Sequence, residues 1–148
     1  MSLSDWQKQG PLTTHQTSPR EIADLLAVAD RDLAASRTPG LDADWRLNIA
    51  YNAALQCATA ALAAGGYRAG REAHHYWVIQ SLALTVGAEA SLVERFDLFR
   101  RKRNIGAYER AGMASNQEAE AMHSLALQVR SMVVAWLQRE HPDLLKTE

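Results

Sequence analysis

The sequence contains a single cysteine and no long run of apolar residues, and both absences narrow the classes of protein to consider. Cys57 has no partner for a disulfide within the chain, so we interpret it as a small buried hydrophobe. Chains without disulfides are typical of the reducing cytoplasm, which predicts a cytoplasmic protein. No apolar run approaches the roughly 18 residues of a membrane-spanning helix, and residues 1–11 lack the features of a signal peptide. The sequence therefore predicts no membrane association.

Several signatures of common enzymes are also missing. Gly65 and Gly66 follow a helical pattern rather than a strand, which argues against a phosphate-binding glycine loop. His74 and His75 are adjacent, so on a helix their side chains diverge by about 100° and are poorly placed to hold one metal ion. The Glu72–His75 spacing of a di-iron bundle occurs once where two copies are needed. We therefore expect neither a metal nor a cofactor.

Helix-start signals are the clearest local pattern in the chain. Ser18 can cap a helix, Pro19 suits its first position, and Glu21 completes a capping box. Two further boxes occur at Ser91–Glu94 and Ser115–Glu118. No hairpin turn or alternating β-branched run competes with these helices. The sequence predicts an all-α chain, an antiparallel bundle of four to five helices.

The order of these signals predicts one domain with short terminal segments, and a length of 148 residues is typical of a single domain. We expect residues 1–17 to form a loose lead-in, 18–140 the helical bundle and 141–148 a polar tail. Within the bundle, the second helix is expected at 41–64 and the third at 71–86. The fourth helix follows the box at residue 91, and the fifth ends before His141-Pro142.

The second helix is apolar around most of its circumference, which predicts that it lies between other helices. One polar line interrupts it, formed by Asn48, Asn52, Gln56 and Thr59 on one helical face. Two interpretations stay open for this line. It is either a satisfied polar seam or exposed edge of the helix, or one wall of a polar cleft.

The most unusual stretch is basic and lies at the end of the fourth helix. Between residues 100 and 110 there are five cations and one acid, although the net charge of the chain is −1. Clustered like charges repel one another, so the run is either well solvated at a helix end or faces an anionic partner. Any binding of a polyanion must therefore be local.

One cation of this run is placed differently from the others. Arg103 lies on the same helical face as Phe96 and Phe99, which directs it towards the core side or an interface. A guanidinium in such a place needs a partner. Gly106 is expected to end or kink the helix, which would bring Tyr108 back towards Arg103.

The Arg103-Asn104 pair followed by Tyr108 resembles the Arg-polar-spacer-His signature of HEPN domains, in which tyrosine sometimes replaces histidine. Three other segments agree with this family. Residues 45–62 resemble its alanine-rich second helix, 66–75 its helix–turn–helix junction, and 115–119 the start of its last helix. The likeness spans roughly residues 19–139.

The resemblance implies a helical bundle that often dimerises, with two signatures meeting at a cleft that cuts RNA without a metal. Members of this family act in toxin, defence or RNA-processing systems, which suggests a nucleotidyltransferase-like antitoxin as a partner. Carried over to this chain, Arg103 would hold the scissile phosphate, with Asn104 beside it and Tyr108 in the position of the histidine. Three neighbouring cations are candidates for RNA contacts: Arg100, Arg101 and Lys102.

Tyrosine at position 108 is the main departure from the family pattern. A phenol with a pKa near 10 is a poor proton acceptor at neutral pH, whereas imidazole titrates near 6.5. The phenol could still donate a proton or a hydrogen bond. His75 and His123 are the candidates to replace the missing imidazole. The alternatives are a non-catalytic module that binds RNA, a nucleotide or a protein partner, and a helical domain whose basic run is only solvated.

Overall fold

In a computed structural model, residues 1–109 and 114–146 are described, with side chains for 1–103 and 114–146. The described residues are mostly helical, which confirms the predicted all-α class. Within these ranges, six α-helices, two short strands and a terminal 3₁₀ helix follow one another: α1 Leu3–Gln9, β1 Leu12–Thr14, α2 Pro19–Ala35, α3 Ala43–Ala64, β2 Tyr67–Ala69, α4 His74–Ser81, α5 Ala90–Glu109, α6 Asn116–Glu140 and the 3₁₀ helix Pro142–Leu145.

Helix α3 is the centre of the bundle. It packs between α2 and α6 and also contacts α4 and α5. Twelve of its 22 residues are buried, among them seven alanines that allow neighbouring helices to approach closely. The prediction that this helix lies between other helices is confirmed.

The caps of α2 and α6 follow the local sequence, except that the Glu21 carboxylate bonds Thr17 and His15 instead of closing the predicted box at α2. The Ser18 hydroxyl accepts a hydrogen bond from the Glu21 amide at 3.1 Å, with Pro19 in the first turn. Ser115 and Glu118 form the full reciprocal box at the start of α6. These contacts satisfy amide groups that would otherwise lack partners at a helix start.

The first 17 residues are ordered against the bundle instead of forming a loose lead-in. Helix α1 has its own capping box at Ser2, and Trp6 meets Trp77 of α4 edge to face at 5.1 Å. Strand β1 pairs antiparallel with β2, with Leu12 opposite Ala69. Sequence patterns missed this pairing because three-residue strands leave almost no periodicity and are stabilised by a distant partner. The 3₁₀ helix likewise replaces part of the expected tail.

The third and fourth predicted helices need corrections at their ends. Helix α4 starts at His74 rather than Arg71 because Tyr67–Ala69 form β2, and Ala73 adopts a left-handed backbone with φ of 52°. It ends at Ser81 rather than Val86. Helix α5 continues through Gly106 to Glu109, so of the two predicted effects of Gly106, an end of the helix is wrong, and a kink stays a prediction.

Candidate functional site

Arg103 lies over an aromatic ring of the central helix. Its guanidinium carbon is 5.1 Å from the ring centre of Tyr51 on α3, a cation–π distance. Its Nε atom is buried and has no hydrogen-bond partner among the residues that the structure describes. The inward orientation predicted from the spacing to Phe96 is confirmed, since Phe96 packs edge to face on the same Tyr51 ring.

Tyr51 connects Arg103 to a histidine on a third helix. The phenol is only 1% exposed, and its hydroxyl lies 3.1 Å from Nδ1 of His75 at the start of α4. Burial raises the pKa of Tyr51 to about 12, and this outweighs the opposing effect of Arg103. The phenol is therefore protonated at neutral pH and serves as a hydrogen-bonding group.

His75 lines a shallow surface cleft of about 340 Å³ between α4 and α5. The other residues around it are Arg71, Ala73, His74, Tyr76 and Arg100. Burial lowers the pKa of His75, and the nearby Arg103, His74 and Arg100 lower it further. His75 is therefore neutral at neutral pH, and the positive charge around the cleft comes from its arginines.

The four cations of the basic run face four different environments. Arg100 stands over the Tyr76 ring at 5.6 Å and donates to the largely buried Asp97 at 2.6 Å, which raises the pKa of Arg100. Arg101 is exposed and lies 3.5 Å from the same carboxylate. Lys102 donates to Glu118 of α6 at 2.6 Å. Only Arg100 borders the cleft, and each of the first three cations has an acidic partner.

Two of the three residues matched to the HEPN signature lie outside the described side chains. Asn104 and Tyr108 fall within the backbone range of α5, but the described side chains stop at residue 103. Their predicted roles beside Arg103 therefore stay predictions.

The polar line of α3 forms a bonded seam that faces α2. Asn52 donates to Asp32 at 2.6 Å, Gln56 donates to Asn52 at 3.3 Å, and Thr59 donates to the carbonyl of Leu55. Asn48 is the exception, since its buried side-chain oxygen has no partner among the described residues. Of the two interpretations, the contacts favour a satisfied seam over a cleft wall.

His123, the second imidazole considered for the site, belongs to a different polar network. Its Nδ1 atom is 3.0 Å from the Ser36 hydroxyl, and its Nε2 accepts from Arg37 at 3.2 Å. Arg37 also holds Glu120 through two bonds of 2.9 Å. Burial and Arg37 lower the pKa of His123. Both ring nitrogens are occupied, so His123 does not serve the Arg103 site.

The remaining candidate ligands do not converge on a metal-binding arrangement. Within residues 1–103 and 114–146, no group of three or more His, Cys, Asp or Glu side chains is placed to hold an ion. The Nδ1 atom of His74 lies 3.2 Å from the carbonyls of Ala69 and Gly70. Cys57 is completely buried, which raises its pKa to about 12 and confirms its interpretation as a small hydrophobe.

Sequence patterns pointed to Arg103 but missed the residues that surround it. Tyr51 is one residue in a continuous apolar stretch, and nothing local marks it as a contact of Arg103. Asp97 was detectable, because a carboxylate three residues before Arg100 predicts an ion pair on one helical face. Tyr76 and Arg71 join the cleft only through the packing of α4 against α5.

Comparisons with known proteins leave the family open. The chain matches no protein-family model, and no curated protein or solved structure is significantly similar to it. Within the described part of the chain, none of the helices combines the length and the apolar character needed to cross a membrane.

Proposed function

We propose that this protein is a HEPN-like, metal-independent endoribonuclease of the kind that forms the toxin half of a two-protein system. One observation supports this proposal above the others. The guanidinium of Arg103 has a buried, unpartnered Nε within the described residues and stands on Tyr51, next to an arginine-lined cleft. The guanidinium carries further N–H groups besides this buried one, and arginine binds phosphate through several directed N–H groups.

The charges around the cleft suit a phosphodiester. Arg71 and Arg100 border it. Arg103 does not line the cleft but stands over the ring of Tyr51, whose hydroxyl contacts the cleft residue His75. Fixed cations stabilise the negative charge that develops on the phosphoryl oxygens during cleavage. By the family resemblance, Asn104 would lie beside the phosphate, and Tyr108, in the position of the histidine, would donate a hydrogen bond.

The assembly that we propose is a homodimer in which two Arg103 sites share one RNA-binding cleft. The partner in a two-protein system would be a nucleotidyltransferase-like antitoxin that silences this site. Light scattering at micromolar concentration tests the first part, and a monomer there contradicts it.

RNA cleavage in the presence of a chelator tests the proposed activity. Arg103→Met is expected to lower the rate about 10²-fold, since one stabilising donor of this kind contributes that order of magnitude. Arg139→Met is the matched control, because Arg139 is exposed and pairs only with its neighbour Glu140 among the described contacts. Equal rates for the two variants, or no cleavage by the wild-type protein, would contradict the proposal.

A non-catalytic RNA-binding module is the second candidate, and the paired cations favour it. Arg101 and Lys102 both contact carboxylates, so the surface beside the cleft is less positive than the sequence suggests. If Arg71, Arg100 and Arg103 each contact a phosphate, log K for single-stranded RNA should fall with log salt with a slope of about −2. RNA binding with that slope and without cleavage supports this candidate. Binding whose affinity does not change with salt concentration indicates a protein ligand.

A further inference from the structure

We propose that His75 accepts and releases the proton in RNA cleavage at this site, and that Tyr51 is its positioning residue. The inference rests on the proposed ribonuclease function and assigns the proton-transfer role that Tyr108 fills poorly. It comes from a contact between three helices that no sequence spacing reveals.

The geometry around His75 resembles that of a catalytic imidazole held by a second group. One ring nitrogen, Nδ1, is 3.1 Å from the Tyr51 hydroxyl, while the ring itself lines the cleft. Tyr51 is fixed in turn, because Phe96 packs against one part of its ring and Arg103 stands over its face. The imidazole therefore has a held nitrogen and a second nitrogen, Nε2, for a group bound in the cleft.

The other histidines lack this combination. His74 borders the same cleft, but its Nδ1 is directed to the carbonyls of Ala69 and Gly70. His123 is bonded at both nitrogens, and His15 pairs with Glu21 through Nε2. His141 packs on the Trp136 ring at the end of α6.

The reaction balances with the groups at hand. The 2′-oxygen of a ribose attacks the adjacent phosphorus, forming the 2′-O–P bond as the P–5′-O bond breaks. The proton of the 2′-hydroxyl passes to Nε2 of His75, and the phenol oxygen of Tyr51 accepts the Nδ1–H. The leaving 5′-oxygen takes a proton from water, and the imidazolium returns its proton to solvent. The products are a 2′,3′-cyclic phosphate and a 5′-hydroxyl end.

The protonation state of His75 agrees with this role. The groups that face it are Tyr51 from α3, His74 from α4, and Arg100 and Arg103 from α5. Burial and the two arginines lower its pKa, so the basic form is present at neutral pH. Activity should consequently fall on the acid side of the ordinary histidine range.

Single-turnover cleavage of a short RNA in a chelator tests the assignment, with His75→Gln, Tyr51→Phe and the control His141→Gln. Loss of a proton-transfer residue lowers the rate by about 10²–10⁴-fold, whereas His141→Gln should match the wild type. The Kd of a non-cleavable 2′-deoxy analogue should stay within about twofold for His75→Gln. Tyr51→Phe removes the acceptor for the imidazolium, so the acid limb of the pH profile should move to lower pH.

The possible results distinguish a failure of the His75 assignment from a failure of the proposed ribonuclease function. Cleavage by His75→Gln at the wild-type rate overturns the role of His75 and leaves the ribonuclease proposal standing. Weaker binding of the 2′-deoxy analogue with an unchanged rate makes His75 a ligand contact and also overturns the role. No cleavage by the wild type removes both proposals. If His75→Gln does not fold, an NMR titration of His75 in the wild type must match the acid limb, and a mismatch refutes the assignment.

Discussion

The seam between α2 and α3 offers a direct test of how polar groups are held in this core. Asp32 is 8% exposed, and one of its carboxylate oxygens accepts from Asn52 at 2.6 Å. The other oxygen accepts from Arg31, whose side chain is largely exposed. Asn52→Leu removes this half-buried donor and leaves the Asp32 oxygen facing an apolar group.

The expected cost follows from the charge on Asp32. A hydrogen bond to a charged group contributes about 1.5–3 kcal/mol, and a buried acceptor left without its donor loses that contribution. We expect Asn52→Leu to lower the free energy of unfolding by about 2 kcal/mol. That is a large share of the roughly 5–15 kcal/mol by which a domain is stable.

A double-mutant cycle isolates the pair from other effects of the substitutions. Replacing both partners with apolar groups leaves neither one unsatisfied, so Asp32→Leu combined with Asn52→Leu should be less destabilised than the sum of the single variants. The expected difference is about 1–3 kcal/mol. Thr59→Val is the control on the same line of α3, because among the described residues its hydroxyl donates only to the carbonyl of Leu55 within its own helix.

Urea unfolding followed by circular dichroism and tryptophan fluorescence measures these free energies. Coincident transitions and unchanged m values would show that the comparison is between the same two states. If the single variants are additive to within about 0.5 kcal/mol, the Asp32–Asn52 contact is not coupled and our account of the seam is wrong.

Two further predictions concern the core and the histidines His75 and His123. Phe96→Ala should lower the free energy of unfolding, measured in urea, by about 3–5 kcal/mol, because Phe96 is fully buried against Tyr51. Leu98→Ala, at an exposed position, should lower it far less. Equal losses in the two variants would contradict the burial of Phe96. Burial lowers the pKa of His75 and His123, so the unfolded chain binds more protons and stability should fall as pH drops below about 6.5. His123→Gln should reduce this fall, and an equal fall in both proteins would refute its assignment to His123.

Local chemistry explains why much of the fold is readable in the sequence. The helix starts at Ser18 and Ser115 depend on side chains within three residues of the capped amides, so their spacing alone predicts them. The burial of α3 follows from apolar residues around its whole circumference. The inward direction of Arg103 follows from its distance along the helix from Phe96 and Phe99.

The parts of the fold that the sequence did not predict depend on packing between distant segments. The order of the first 17 residues depends on β1 meeting β2, about 55 positions away along the chain, and the short α4 depends on the left-handed backbone at Ala73.

The candidate site shows the same division. Helical periodicity predicted that Arg103 points inward. Its neighbours Tyr51 and His75 are determined by how α3, α4 and α5 pack together. Helical spacing determines which way a side chain points from its own axis. The residue that it meets there is set by how the helices pack, and that depends on the whole core at once.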